Sequence, residues 1–223
     1  MFDSSFSLIE TEDGSATLHS EVMQESYHSM HGAIQESMHV FIQAGLLQIE
    51  KKNISIFEVG FGTGLNALLS WNEAKHNALN IHYVCVEAFP LTTEIYSKLN
   101  YNLPSGMLPP EAFMKLHESN WNERCTLDPP SFDFMKIQTD FTRFAIPESF
   151  DLIYFDAFSP DKQPEMWEEL LFEKIYNCMN TNGILVTYCA KGVVRRALQK
   201  VGFQVERIPG PPGKREMLRA TKN

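Results

Sequence analysis

The feature that most constrains this sequence is a short apolar run followed by an acidic residue and three alternating glycines. Residues 54–66 read Ile-Ser-Ile-Phe-Glu-Val-Gly-Phe-Gly-Thr-Gly-Leu-Asn, and helix-forming residues continue to about residue 74. A strand that turns through glycines into the start of a helix is the usual opening of a nucleotide-binding α/β domain. Glycine is needed because the backbone must turn sharply and approach a ligand without an intervening Cβ. The segment therefore predicts a ligand site at a strand end.

The glycine spacing and an acidic neighbour indicate which ligand fits this turn. A dinucleotide fingerprint has glycine three residues after Gly62, where this chain has Leu65, so the helix start is a weaker pyrophosphate site. Glu58 would place a carboxylate in the same crevice, where it repels a phosphate and attracts a cation. S-Adenosylmethionine carries an ammonium and a sulfonium but no phosphate. It is the cofactor that the segment favours.

Length and composition indicate one sizeable globular unit. The chain has 223 residues, 43% of them hydrophobic and 21% charged, as in an ordinary soluble domain. An apolar run near 18 residues and a basic-apolar leader are both missing, which predicts no membrane partner and no signal peptide. The four cysteines are scattered without a CxxC pair, which predicts reduced thiols and a cytoplasmic location. His28 and His31 lack a third ligand at a zinc-type spacing, so no metal is expected.

The charge is unevenly distributed along the chain. The net charge is −9, yet from residue 187 onward nine Lys or Arg face only two Glu, a local charge of +7. A basic end on an acidic body can hold a phosphate backbone locally. A solvated, charged helix and tail would give the same count.

Acidic residues follow the predicted strands in the way that a cofactor site requires. Glu87 ends the second strand, where it would accept hydrogen bonds from ribose hydroxyls. Asp140 and Phe141 follow the third strand, where they would bond the adenine amino group and cover its ring. Asp156 follows the fourth strand, at the edge where open α/β sheets bind ligands.

The alternation of strands and helices predicts an α/β, Rossmann-like fold of the class I S-adenosylmethionine-dependent methyltransferases. Seven strands with a terminal antiparallel pair, in a mostly parallel sheet, are typical of that variant. The predicted strands are 54–59, 81–86, 132–138, 151–155, 183–188, 203–207 and 216–221.

Two segments lie outside this plan. Residues 1–50 are predicted to form an N-terminal extension, a β-hairpin and a helix, that packs on a methyltransferase domain at 51–223. A proline-flanked insertion at 103–131, with an amphipathic piece at 111–123, is interpreted as a helical excursion over the crevice. A plain packing insertion would show the same pattern. A further helix is expected from about residue 88 to residue 101.

Several motifs, in the same order, resemble the tRNA wobble-uridine methyltransferase family called MnmD and the methyltransferase half of the bifunctional MnmC proteins. The resemblance extends from about residue 13 to the end of the chain. The glycine loop is shared with many methyltransferases, whereas the fourth-strand and C-terminal motifs are more specific. The matching segments are Tyr-His-Ser at 27–29 with Glu-Ser at 36–37, the glycine loop at 60–66, Glu-Ala-Phe-Pro-Leu at 87–91, Phe-Asp-Ala-Phe-Ser-Pro at 155–160 with Pro-Glu-Met-Trp at 164–167, and Gly-Lys-Arg-Glu-Met-Leu at 213–218.

The resemblance implies methyl transfer from S-adenosylmethionine to the amine of 5-aminomethyl-(2-thio)uridine at the tRNA wobble position. The anticodon stem-loop would be the RNA partner. Because the sequence stops at Asn223, where the bifunctional proteins continue into a flavin oxidoreductase domain, a separate oxidoreductase is the expected supplier of the aminomethyl group where one is needed.

Roles for individual residues follow from the resemblance together with the predicted strand ends. Asp156 would hydrogen-bond the amine and take up its proton, or would contact only the cofactor, and Phe158 would stack on the flipped uracil or lie in the core. The cofactor-binding candidates are Glu58, Gly60, Phe61, Gly62, Gly64, Asn66, Glu87, Asp140, Phe141 and Asp156. The uridine side would be lined by Tyr27, Ser29, His31 and Glu36, and the tRNA phosphates would contact Lys191, Arg195, Arg196, Lys214 and Arg215.

Two other functions remain compatible with the sequence. A small-molecule amine methyltransferase or aminopropyltransferase would use the same fold without a basic end. A non-catalytic RNA-binding subunit with a cofactor fold would not need Asp156.

Overall fold

The computed structural model describes residues 5–101, 108–128 and 131–223. In these ranges a three-stranded antiparallel sheet precedes an eight-stranded, mostly parallel one. The first sheet consists of β1 (Phe6–Glu10), β2 (Ala16–Ser20) and β3 (Glu25–Ser26). The second consists of β4 (Asn53–Val59), β5 (Asn80–Glu87), β6 (Arg124–Asp128), β7 (Phe132–Gln138), β8 (Phe150–Phe155), β9 (Met179–Thr187), β10 (Gln204–Pro209) and β11 (Glu216–Thr221). The α-helices are α1 (Ala33–Ser37), α2 (Leu65–His76), α3 (Thr93–Tyr96), α4 (Glu111–Glu118), α5 (Glu169–Asn177) and α6 (Gly192–Val201). A π-helical segment (Met38–Gln43) and two 3₁₀ turns (Leu46–Gln48 and Pro164–Trp167) complete the regular structure of these ranges.

The strand order of the large sheet identifies its fold class. The order is β10-β11-β9-β8-β4-β5-β7-β6. Strands β4, β5, β7, β8 and β9 run parallel, and β11 is antiparallel to both of its neighbours. The chain leaves β4 towards β5 on one side and returns to β8 on the other, which makes the β4–β8 boundary a topological switch point. The predicted doubly wound fold with a closing antiparallel pair is confirmed.

The sheet differs from the prediction at its far edge, where it has eight strands instead of seven. The extra strand, β6, pairs antiparallel with β7 and carries a register shift between Thr126 and Asp128. It arises from the segment interpreted as a wholly helical insertion, which is therefore part helix and part edge strand. Residues 102–107 and 129–130 of this region lie outside the described residues. In α4, Phe113 and Leu116 are buried, as expected from the amphipathic pattern.

The helix expected from residue 88 to residue 101 is reduced to α3, four residues long. The Glu87 carboxylate accepts the backbone N–H of Phe89 at 2.9 Å. A side chain that captures the backbone in this way competes with helix formation. The segment between β5 and α3 is therefore not helical.

Apolar clusters cover both faces of the sheet. One contains the inner faces of the N-terminal hairpin, the π-helical segment, α2 and α4, and the other contains those of α5 and α6. All six residues of β8 are buried, as expected for a parallel strand covered on both faces. The first cluster joins residues on both sides of residue 50, so the boundary placed there stays a prediction. Within the described ranges, no helix has the length and apolar character to cross a membrane.

Candidate functional site

A cavity of about 580 Å³ lies at the carboxyl ends of the central parallel strands. Its walls come from the loops after β4, β5, β7 and β8, from the N-terminal extension, and from the loop between β10 and β11. The size suits a small organic ligand. The position is the one that open α/β sheets use for ligands.

The glycine-rich loop forms one wall, and its backbone explains two of its glycines. Gly60 has φ +94°, and a Cβ built on it would lie 2.6 Å from the Asp156 carbonyl oxygen. Gly64 has φ +75° at the start of α2, and its Cβ would lie 2.8 Å from the Phe61 ring. Both positions combine a left-handed backbone with a close neighbour, so any larger residue would be strained. Gly62, the middle glycine, faces Tyr27 of the N-terminal extension.

Glu58, Asn66 and Asp156 meet at the carboxyl ends of β4 and β8, where Asn66 and Asp156 border the cavity and Glu58 is fully buried. Because β4 and β8 are parallel neighbours, their carboxyl ends bring Glu58 and Asp156 to the same edge. The Asn66 amide nitrogen donates to Glu58 Oε1 and to Asp156 Oδ2, each at 2.9 Å. Glu58 is fully buried, does not border the cavity and lies beside the Tyr83 hydroxyl. Asn66 borders the cavity, and its Oδ1 has no partner among the described residues, so this oxygen can accept from a ligand that donates hydrogen bonds.

Burial shapes the acidity of both carboxyl groups. Removal from water raises the pKa of Asp156 to about 7; the Asn66 hydrogen bond and the Lys214 charge oppose this, and the Glu36 charge adds to it. Burial also raises the pKa of Glu58 well above its usual value, and repulsion from Asp156 contributes. A cation between these groups would favour their ionised forms. The site therefore suits a positively charged ligand or a group that exchanges a proton.

Glu87 and the two aromatic residues near it define the other half of the cavity. Glu87 Oε2 accepts the Gly62 N–H at 2.9 Å, and its other oxygen accepts from Phe89. Asp140 lines the cavity, and its Oδ1 accepts from the Thr142 backbone and hydroxyl. Phe141 also borders the cavity, but its ring packs in the core against Phe57. Phe89 is 81% exposed and stands at the rim beside Glu87.

The N-terminal extension supplies the opposite wall. The rings of Tyr27 and Phe158 meet edge to face, with centroids 5.1 Å apart. Glu36 accepts the Ser29 backbone N–H at 2.6 Å and the Lys214 ammonium at 2.6 Å. All five residues line the cavity. The fold therefore brings together Tyr27, Ser29, Glu36 and Phe158 as the sequence suggested.

His31 and Lys214 lie elsewhere than their predicted roles require. His31 is exposed, bonds Glu12 at 2.9 Å and packs against Gly213 instead of bordering the cavity. Lys214 was expected at phosphates, yet its ammonium lies inside the cavity with Glu36, 4.1 Å above the Tyr188 ring. Its role as a phosphate ligand is corrected accordingly.

The other predicted phosphate contacts differ in how far they are already paired. Lys191 forms an ion pair with Asp161. Arg196 and Arg215 are exposed, and the Arg195 Nε has no partner among the described residues. The start of α6 follows the carboxyl end of β9, and the β10–β11 loop follows the carboxyl end of β10. These arginines therefore lie towards the same edge of the sheet as the cavity, although none of them lines it.

Several cavity residues were not identified from the sequence, and three of them are Glu25, Tyr188 and Phe89. Glu25 accepts from the Ser159 hydroxyl at 2.7 Å and so ties the N-terminal sheet to the loop after β8. The Tyr188 hydroxyl donates to the Ala157 carbonyl at 2.9 Å and holds the same loop from the other side. The third is Phe89, whose exposed ring could have been suspected from the proline after it. Glu25 and Tyr188 depend on contacts distant in sequence, which no local motif reveals.

Comparison with known proteins gives a consistent set of relatives. The sequence profile of a family described as S-adenosyl-L-methionine-dependent methyltransferase matches residues 111–223. The tRNA 5-methylaminomethyl-2-thiouridine biosynthesis bifunctional protein MnmC of Marinomonas sp. is 31% identical over 92% of this chain and 32% of its own length. Its counterpart from Cupriavidus metallidurans is 30% identical over 90% of this chain and 32% of its own length. The chain thus spans about a third of the length of these relatives.

Solved structures agree with this. The crystal structure of MNMC2 from Aquifex aeolicus has a TM-score of 0.80 and 25% identity, and the match covers 100% of this chain and 71% of that one. Spermidine synthase from Thermotoga maritima has a TM-score of 0.59 at 12% identity, with 97% and 68% covered. The second likeness shows the fold alone.

The residues at the cavity fit the cofactor of this family. The free Oδ1 of Asn66 matches an ammonium group that needs an acceptor, and the carboxyl groups of Asp156 and Glu87 at the cavity match a positively charged sulfonium. The backbone at Gly60 leaves no room for a Cβ. The predicted cofactor, S-adenosyl-L-methionine, is confirmed by the family, and the chain belongs to this family of S-adenosyl-L-methionine-dependent methyltransferases.

Proposed function

We propose that this enzyme methylates the amine of 5-aminomethyl-(2-thio)uridine at the wobble position of tRNA, giving the 5-methylaminomethyl product. The names of its relatives, which specify the biosynthesis of that product, support the substrate. The observation that carries the proposal is the position of Asp156. Asp156 accepts a hydrogen bond from Asn66 at 2.9 Å and lines the same cavity as Tyr27 and Glu36 of the N-terminal extension.

The cofactor would be held by groups on both sides of the glycine loop. Asn66, held by its hydrogen bond to the buried Glu58, would accept from its ammonium, Glu87 would bind the ribose, and Asp140 would face the adenine. Phe89, which is exposed beside Glu87, is better placed than the core-packed Phe141 ring to cover the adenine. When bound, S-adenosyl-L-methionine supplies a methyl group on a sulfonium, and the neutral thioether that remains after transfer is a good leaving group.

Asp156 would prepare the amine for this transfer. A simple alkylamine has a pKa of about 10 and is mostly protonated near neutral pH. A carboxylate whose pKa is about 7 is a stronger base than an ordinary aspartate and can take up a proton directly or through water. The Lys214 ammonium in the same cavity favours the neutral amine, because like charges repel. The hydrogen bond to Asp156 would also aim the nitrogen lone pair along the line of transfer.

The aromatic pair on the opposite wall would receive the base. A uridine must leave the anticodon stack to enter a pocket, and flipped bases are commonly stacked on aromatic rings. Tyr27 and Phe158, in edge-to-face contact at the cavity wall, provide such a surface. Glu36 and Lys214 lie beside them and could bond the polar edge of the uracil.

The RNA backbone would dock on three arginines in the segments that follow the carboxyl ends of β9 and β10. Arg195, Arg196 and Arg215 have no salt bridge among the described residues, so their charge is available to phosphates. The six other basic residues after residue 187 bond acidic groups or backbone carbonyls. Fewer basic residues are therefore free to bind phosphate than a charge of +7 suggests.

The test is incubation with labelled S-adenosyl-L-methionine and tRNA that carries the aminomethyl group, followed by nucleoside analysis. Label should appear in 5-methylaminomethyl-uridine or its 2-thio form. The Asp156→Ala variant should lose this activity while it still binds S-adenosylhomocysteine. Label in any other nucleoside, or full activity of the variant, would overturn the assignment.

A polyamine transferase is the second candidate, since the spermidine synthase likeness shows that the fold is compatible. Arg195, Arg196 and Arg215 would have no role in that reaction. Transfer of label to a polyamine, but not to tRNA, would favour it.

A further inference from the structure

Helix α4, from the insertion, lies behind the glycine-rich loop and not over the cavity. Among the described residues, none between 108 and 128 lines the cavity. His117 near the end of α4 is only 9% exposed, and its Nε2 lies 3.0 Å from the Thr63 carbonyl oxygen. The insertion thus contacts the loop from the side opposite the ligand.

The contact has a defined direction. A carbonyl oxygen only accepts hydrogen bonds, so the Nε2 of His117 must carry a hydrogen. Burial lowers the pKa of His117 to about 4, against the effect of the hydrogen bond to Thr63. The imidazole is therefore neutral near pH 7 and donates from Nε2.

Three aromatic rings pack around the imidazole of His117. It stacks on Tyr96 at 4.1 Å with an interplanar angle of 20°, and it also packs against Phe113 and Phe61, with centroids 4.7 and 5.2 Å away. The backbone carbonyl of His117 accepts from the ammonium of Lys136, which is 1% exposed. The imidazole consequently has little freedom to move away from the loop.

The loop needs support on this side. On the side of β5, Gly60 and Phe61 donate their N–H groups to the Val86 carbonyl at 3.1 Å. Thr63 is 3% exposed, and the one hydrogen bond that its carbonyl accepts among the described residues comes from His117. A buried carbonyl without a partner is costly. Without His117 the loop would have to rearrange to expose this oxygen to water.

We propose that His117 is a positioning residue, whose Nε2–H hydrogen bond to the Thr63 carbonyl holds the loop at residues 60–64 in the conformation that binds the cofactor. It touches neither substrate nor the predicted methyl path. The insertion at 108–128 thereby acquires a role in cofactor affinity. This role rests on cofactor binding alone and is independent of whether tRNA is the substrate.

Two substitutions separate the hydrogen bond from the packing. His117→Phe keeps an aromatic ring but removes the donor, whereas His117→Gln places an amide N–H near the position of Nε2. Tyr96→Phe is the matched control, because it keeps the ring stacked on His117 and removes only a hydroxyl that bonds Thr93 at 3.0 Å. Titration calorimetry with S-adenosylhomocysteine measures affinity without RNA, and hydrogen exchange of the cofactor-free protein reports on the loop.

His117→Phe should weaken S-adenosylhomocysteine binding by about tenfold, since one buried hydrogen bond is lost, and should speed exchange at residues 60–64. His117→Gln should recover most of the affinity, and Tyr96→Phe should match the wild type. Unchanged affinity and exchange in His117→Phe would overturn the proposal, as would equal losses in the Phe and Gln variants.

The wild-type protein gives a further test if His117→Phe does not fold. Nitrogen chemical shifts of the His117 ring should show a neutral, Nε2-protonated imidazole at pH 7. A charged ring, or the Nδ1-protonated tautomer, would refute the proposed hydrogen bond. Because none of these measurements uses tRNA, their failure would leave the proposed reaction untouched.

Discussion

Asp156 should make the cofactor-free protein less stable as the pH rises, and Asp156→Asn should remove that loss. The carboxyl is held where burial raises its pKa to about 7, against an ordinary value of 3.8. The folded state therefore binds this proton more tightly than the unfolded chain does. The stability from the protonated form is fully present below the unfolded pKa and is lost as the pH rises through 7. Asparagine imitates the neutral form at every pH.

The two pKa values, 3.8 and about 7, are about three pH units apart. At about 1.4 kcal/mol for each unit, the difference corresponds to about 4 kcal/mol in the free energy of unfolding. The free energy of unfolding of Asp156→Asn, relative to that of the wild type, should therefore increase between pH 4 and pH 8. Above pH 8 the difference should become constant. The groups that titrate identically in both proteins cancel in the difference.

Urea unfolding of both proteins at a series of pH values measures this difference. Asp151→Asn is the matched control, because Asp151 lies on β8, the strand that Asp156 follows, and its pKa shifts in the opposite direction. Burial alone would raise the pKa of Asp151, but the hydrogen bonds from Lys51, Ser55 and Asn180 outweigh it and lower the pKa. Its stabilising effect is present above the unfolded pKa and is lost as the pH falls through the folded one. A pH-independent difference for Asp156→Asn, or one that shrinks towards high pH, would refute the reasoning.

Three further predictions concern the arginines, the loop and the cavity. Reversing Arg195 and Arg196 to Glu should weaken tRNA binding and lower the slope of log affinity against log salt by about 2; an unchanged slope would place the RNA on another face. Gly60→Ala should lower the free energy of unfolding by about 1–3 kcal/mol in urea titrations, and by more than Gly14→Ala, since both glycines have positive φ but the Cβ at Gly14 meets nothing within 4 Å. Lys214→Met removes a charge that lowers the pKa of Asp156, so the acidic limb of the kcat profile that we assign to Asp156 should move to higher pH; a limb that stays near pH 7 would contradict this.

The strand ends could be read from the sequence because a parallel sheet places them at one edge. Glu87 and Asp156 lie at or just after strand ends, and the fold places both at one cavity. Glu58, near the end of β4, is buried outside the cavity lining and bonds Asn66. That inference needs only the strand order of the fold class. The position of β6 could not be read in the same way, because an edge strand of five residues with one bulge has no clear alternation.

Side-chain partners were harder to predict than positions. Lys214 was counted with the basic end of the chain, yet its ammonium pairs with Glu36 across 178 positions of sequence. An aromatic residue after the third strand suggested a cover for the adenine, but the Phe141 ring turns into the core beside Phe57. Charge and residue type indicate which groups can bind. The direction of a side chain depends on packing that only the folded chain reveals.

The two halves of the cavity are built in different ways. This explains why sequence motifs identified the residues of one half more completely than those of the other. The proposed cofactor half comes from short loops that directly follow strands, so each candidate residue has a fixed place in a local pattern. The proposed substrate half joins the N-terminal extension to the β10–β11 loop through Glu36 and Lys214, and through His39, which bonds the Pro209 carbonyl at 2.9 Å. A wall assembled from distant segments can change its ligand through few substitutions while the cofactor site is retained. Substrate identity in this fold should therefore be sought in the contacts between the extension and that loop, and not in the glycine-rich motif.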